Sequence, residues 1–184
     1  MKMSLGENLN MKRLFIALML VLTIVTLTFT SCGNNDGAPK GMKTASGEGT
    51  DYVLYVPEKW TVDLATKATG AYYSTDDPSN VSVTAWELEN TDSTVEDWWE
   101  IERVDIDLVF KNVEIVSESN TTIDEVAAKK YEYTASLGEN NYKVMQVAAV
   151  KKSVVYVFTY TSVEDSYDLH LEDVEAMLNY MQIK

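Results

Sequence analysis

An uncharged run dominates the start of the chain. Leu14 to Thr28 (LFIALMLVLTIVTLT) carries no ionisable side chain and follows the basic pair Lys12-Arg13. As a helix, such a run at about 1.5 Å per residue spans roughly 23 Å, short of the ~30 Å hydrocarbon core of a bilayer. Length and flanks fit the apolar region of a secretory signal covering residues 1–31. Gly33 to Thr50 reverses the pattern, with five glycines in eighteen residues and almost nothing to bury. That composition predicts a flexible tether over residues 32–50.

Residues 51–184 alternate in the manner of strands, and their number suits one domain. Asp51 to Val56 and Trp60 to Leu64 are short β-type runs split by Pro57-Glu58-Lys59. Val81 to Leu88 sets Val81, Val83 and Ala85 against Ser82, Thr84 and Trp86. Val113 to Ser117, Ala127 to Leu137, Tyr142 to Val150 and Val154 to Thr161 continue the series as antiparallel hairpins. Two segments carry the helical period instead. Ser93 with Glu96 forms a capping-box pair ahead of Val95 to Phe110. In that helix Val95, Trp98, Trp99, Ile106, Val109 and Phe110 share one side, with Ile101, Val104 and Leu108 roughly opposite. Tyr167 to Met181 repeats apolar residues at i, i+3, i+4 and i+7. The strand Val154 to Thr161 is nearly uncharged on both sides and therefore needs cover on both. The expected class is α+β, a central antiparallel sheet with helices on both faces, an α-β-α sandwich.

Charge narrows the partners. The chain has 29 acidic and 15 basic side chains, a net of −14. Without residues 1–31 the count becomes 28 against 12, a net of −16. Such a surface repels phosphate backbones, which makes nucleic acid a poor partner. The single cysteine, Cys32, follows Phe29-Thr30-Ser31. This junction resembles a bacterial lipobox, in which the cysteine is acylated and becomes the mature N-terminus. The resemblance implies a lipoprotein bearing palmitate-type chains on Cys32, held at the extracytoplasmic face of the cell membrane. Several acyl chains at ~0.8 kcal/mol per buried methylene make a durable anchor.

The opening YVLYVPEKWTVD and the closing VYVFTYTSVEDSYDLHLEDVEAMLNYMQI resemble the first and last elements of the PsbP-like domain. With a lipobox ahead of them, they are similar to the DcrB-type group of bacterial lipoproteins. The resemblance implies the same sandwich fold and a binding or assembly role, since the family shares no catalytic set.

Catalytic signatures are missing from the chain. A zinc site wants three or four ligands, yet there is one cysteine and one histidine, His170. His170 falls on the apolar side of the last helix and reads as a packed residue. Neither a Gly-x-Ser-x-Gly elbow nor a phosphate-binding glycine loop is present. The expectation is a non-enzymatic domain, needing no cofactor or metal, that binds an unknown envelope protein. The candidate contacts are Asp76, Asp77 and Asn80 in one loop and Ile101, Val104 and Leu108 on the helix. The alternative is a small-ligand or metal-binding lipoprotein with a cleft between sheet and helix near Trp86, Trp98 or Tyr156.

Overall fold

The computed structural model describes residues 37–63 and 69–184. The expected signal and Cys32, the expected site of lipid attachment, lie outside them. Eleven strands occur in these residues: β1 Met42–Thr44, β2 Tyr52–Val53, β3 Tyr55–Pro57, β4 Thr61–Asp63, β5 Thr69–Tyr72, β6 Asn80–Glu87, β7 Lys111–Ile123, β8 Val126–Leu137, β9 Asn140–Lys151, β10 Val154–Val163 and β11 Gln182–Ile183. The α-helices among them are α1, Val95–Val109, and α2, Leu171–Tyr180.

Seven strands form one sheet in the order β4-β5-β6-β10-β9-β8-β7, with every neighbouring pair antiparallel. The expected hairpins form, with tighter turns than the sequence suggested. Gly138, at φ 63°, opens a two-residue turn between β8 and β9. Lys152 and Ser153 turn between β9 and β10 with φ of 52° and 64°, the left-handed conformations that such a tight hairpin demands.

The α-β-α sandwich is the expectation that fails. The protein is mostly β, and its helices do not form a layer on each face. Geometry explains this. Seven strands at about 4.8 Å spacing make a sheet roughly 29 Å wide, whereas α2 has ten residues and is about 15 Å long. On that face the remaining cover comes from extended chain. Met42, Ala45, Tyr52, Leu54, Tyr55, Val56, Trp60 and Ile183 join Tyr167, Val174, Met177 and Met181 in one core with Val81, Val83, Val147, Phe158 and Tyr160 of the sheet. β1 pairs with β3 and β11 with β2. Residues expected in the tether are therefore part of the domain: Met42 and Ala45 are buried. The other face packs α1 against Tyr131, Tyr133, Val144, Ala148, Val155 and Val157.

Helix boundaries also moved. The capping box of α1 is Thr94 with Asp97, one residue later than expected: Asp97 N donates to Thr94 Oγ1 at 3.2 Å and Thr94 N to Asp97 Oδ2 at 2.8 Å. The last helix starts late, because Glu164–His170 winds as a 3-10 segment before α2. Both Trp98 and Trp99 are core residues, and Trp99 stacks on Tyr131 with centroids 3.9 Å apart.

Candidate functional site

α1 has two contrasting sides. Its inner side buries Val95, Trp98, Trp99, Glu102 and Ile106. Its outer side leaves Ile101, Val104 and Leu108 49, 59 and 78 % exposed. Spacing of i, i+3 and i+7 aligns these three in one stripe. Asp97, Glu100, Asp105 and Asp107 flank it, with Arg103 as the helix's one basic residue. No basic residue lies in the last turn, so the negative end of the helix dipole adds to this field. One acidic side chain is drawn away: Glu96 pairs with Lys129 at 2.7 Å, and that contact lowers its pKa.

The loop holding Asp76, Asp77 and Asn80 is placed otherwise than as a set of free ligands. Asp76 is exposed, whereas Asp77 spends both carboxylate oxygens internally. Its Oδ1 accepts from Ser79 N at 3.1 Å and Ser79 Oγ at 2.6 Å, and its Oδ2 lies 2.8 Å from His170 Nε2. Burial pushes the Asp77 pKa up, but the hydrogen bonds from His170 and Ser79 outweigh it and hold the group below its ordinary value. Asn80 lies in β6 and donates through Nδ2 to Pro78 O at 3.1 Å.

His170 is buried, with its ring 4.2 Å from that of Tyr73 and 5.7 Å from that of Trp60, centroid to centroid. Trp60 in turn donates from Nε1 to Asp173 Oδ2 at 2.8 Å. Serine, histidine and aspartate meet here, but Ser79 contacts Asp77 and Ser162, and among the described residues no serine donates to or accepts from His170. A nucleophile needs that contact with its base. The cluster ties the loop to the last helix. Sequence alone could not reveal it, because Asp77 and His170 are 93 residues apart.

The residues named for a cleft, Trp86, Trp98 or Tyr156, fall on two different faces of the sheet. Tyr156 belongs to the core under α2, while Trp86 and Trp98 lie across the sheet beneath α1. Among the described residues no group of three or more His, Cys, Asp or Glu could hold a metal.

No family description matches the chain, and no curated protein matches it in sequence. Solved structures do match in shape. CyanoP, the cyanobacterial PsbP of Synechocystis sp. PCC 6803, is 17% identical with a TM-score of 0.57 over 84% of this chain and 98% of its own. LpqN of Mycobacterium tuberculosis, described as involved in cell envelope biogenesis, is 13% identical with a TM-score of 0.54 over 78% and 90%. The Saccharomyces cerevisiae Ran-binding protein Mog1p is 9% identical with a TM-score of 0.54 over 77% and 95%. The fold is PsbP-like. At these identities the likeness carries the fold and nothing further.

Proposed function

We propose that this protein is a lipid-anchored extracytoplasmic lipoprotein whose domain binds a protein partner at the cell envelope without catalysing a reaction. The observation that carries the reading is the outer side of α1. Single exposed apolar residues are ordinary on a soluble protein. Three aligned on a helix that has already buried its other side form a patch with no role in the fold. The acidic border selects a partner whose matching surface is basic and apolar. The fold is compatible with such work, since LpqN is tied to envelope biogenesis and Mog1p binds Ran. The anchor rests on Lys12-Arg13, the uncharged run and Cys32.

A photo-crosslinking residue placed at Val104 or Leu108 in cells is expected to capture one discrete partner. The same residue at Leu169, which is 73 % exposed in the 3-10 segment, is the control. Identical products from all three positions would count against the reading. Intact mass of protein from native membranes tests the anchor: acyl mass on a chain starting at Cys32 should vanish in Cys32→Ala.

A further inference from the structure

β7 is the longest strand among the described residues, 13 residues from Lys111 to Ile123, and it ends the seven-stranded sheet. Among those residues β8 is the only strand it pairs with. Such an edge is a template for another strand unless something guards it. The first half of β7 is guarded. Its register shifts between Lys111 and Glu114 and again between Ile115 and Ser117, and bulges of this kind twist an edge away from a neighbour. The opposite edge, β4, is 3 residues long, and shortness is protection of another kind. The second half of β7 has neither device. Ser117 to Ile123 pairs one for one with Glu132 to Val126 and contains no proline and no lysine.

The hairpin turn fixes which backbone groups of this stretch face outward. Asp124 and Glu125 make a two-residue turn, with φ of 49° and 64°. In such a turn the flanking pair, Ile123 and Val126, exchange hydrogen bonds with each other. Alternation then directs the N–H and C=O of Ile123, Thr121, Ser119 and Ser117 toward β8. Those of Thr122, Asn120 and Glu118 point away from the sheet. These three residues are exposed, and they offer a donor and an acceptor about every 6.8 Å, the repeat of an incoming strand.

Charge selects the occupant. From Asn112 to Glu125 the chain carries Glu114, Glu118, Asp124 and Glu125, all exposed, and no basic residue. Of the lysines alongside on β8, Lys129 is held by Glu96 at 2.7 Å and Lys130 acts on Glu132. A second copy would set acids against acids, on a chain whose net charge is already −14.

We propose that the outer edge of β7, from Glu118 to Thr122, binds an extended, lysine- or arginine-bearing segment of a partner protein by strand addition. Main-chain hydrogen bonds at Glu118, Asn120 and Thr122 hold the segment, and the surrounding acids set its charge. The inference does not rest on the outer side of α1 binding a partner, because it uses different atoms.

The test uses the full chain in non-ionic detergent micelles, following amide hydrogen exchange by NMR. The probe is acetyl-Lys-Val-Lys-Thr-Lys-Val-Lys-amide. It is compared with the same peptide carrying glutamate for every lysine, the same peptide N-methylated at every residue, and a peptide of residues 117–123. The lysine peptide is expected to slow exchange at Glu118, Asn120 and Thr122 saturably, by about tenfold or more, with Ser119 and Thr121 little changed. Asn120→Pro removes an outward N–H that β8 does not use, and should weaken binding by about tenfold or more. The N-methylated and glutamate peptides should bind far more weakly than the probe. Equal binding of the N-methylated peptide overturns the proposal, because charge alone would then hold the probe. Equal binding of the glutamate peptide, unchanged exchange at the three amides, or unchanged affinity in Asn120→Pro also overturns it. A 117–123 peptide that binds as tightly as the probe assigns the edge to a second copy and overturns the partner reading. Should Asn120→Pro disrupt the hairpin, the N-methylated comparison on the unaltered protein still decides.

Discussion

The two faces of the sheet are both rich in aromatic residues, yet they treat polar groups in opposite ways. Under α2 and the N-terminal strands, buried hydroxyls and ring nitrogens have partners. Tyr52 Oη bonds Thr69 Oγ1 at 2.9 Å and Val83 O at 3.0 Å, and Tyr160 Oη donates to Tyr167 O at 2.8 Å. Tyr167 Oη donates to Glu132 Oε1 at 2.9 Å, and Trp60 and His170 reach Asp173 and Asp77. Under α1 lie all four buried side-chain atoms without a partner among the described residues. The kind of cover makes the difference. On the α2 face the partners are mostly polar side chains, joined by the carbonyls of Val83 and Tyr167, whereas the middle of an α-helix has spent its backbone groups on itself. A helix can satisfy what it covers only through side chains, and α1 mostly brings tryptophan, valine and isoleucine.

The largest effect is expected on the satisfied face. Trp60 is fully buried, holds Asp173 and packs edge-on to Tyr73 and His170. Trp60→Ala should cost about 3–5 kcal/mol, read as a lower denaturant midpoint at unchanged slope. A cost under about 1 kcal/mol would mean this face is loosely packed, and the contrast would collapse.

One chemical change made on each face gives a sharper test. Tyr167→Phe removes a hydrogen bond to a carboxylate and should destabilise by about 1–2 kcal/mol. Tyr133→Phe removes a buried hydroxyl that has no partner and should stabilise by about 1 kcal/mol. Equilibrium unfolding of both variants should give opposite signs. Two losses of similar size would show that Tyr133 is satisfied in the folded protein.

Acid should act through the satisfied face. Asp77 and Glu132 are both held below their ordinary values of 3.8 and 4.5. In each, burial works in the opposite direction and is outweighed. For Glu132 the opposing contacts are hydrogen bonds from Ser117 and Tyr167 and the charges of Lys130 and Lys143. A depressed folded pKa adds stability that is complete above the unfolded value and lost as pH falls through the folded one. Stability should therefore decline from about pH 4.5 downward, and Glu132→Gln should flatten the upper part of that decline. A profile unchanged by Glu132→Gln would remove Glu132 from the account.

Much of this architecture could be read from the sequence, for identifiable reasons. Alternation placed β6, β8, β9 and β10, because the period of two survives wherever one face is packed. The 3.6-residue period placed α1, and the exposure of Ile101, Val104 and Leu108 matches their position opposite Trp98 and Ile106. Cover was harder to read. Met42 and Ala45 bury themselves in a stretch too short and glycine-rich to show any period, so part of the domain resembled tether. The cap at Thr94 slipped by one residue because Ser93, Thr94, Glu96 and Asp97 offer two overlapping boxes. Among the contacts that define the sites, Asp77 with His170 and Glu102 with Gln146 join residues 93 and 44 apart. β10, inserted between β6 and β9, and the passage of α1 over the sheet from β6 to β7 bring such distant segments together.

The smallest test compares two buried threonines. Thr69, on the satisfied face, accepts from Tyr52 Oη, while Thr161, on the α1 face, has no partner for Oγ1. Both lie in strands, so the β-preference gained on changing threonine to valine is similar and largely cancels between them. Thr69→Val takes away a hydrogen bond, but Tyr52 keeps its contact to Val83 O, so the loss should be only about 0.5 kcal/mol. Thr161→Val removes an unpaired buried hydroxyl and should gain about 0.5–1 kcal/mol. The difference of about 1 kcal/mol is worth several degrees in melting temperature for a domain of this size.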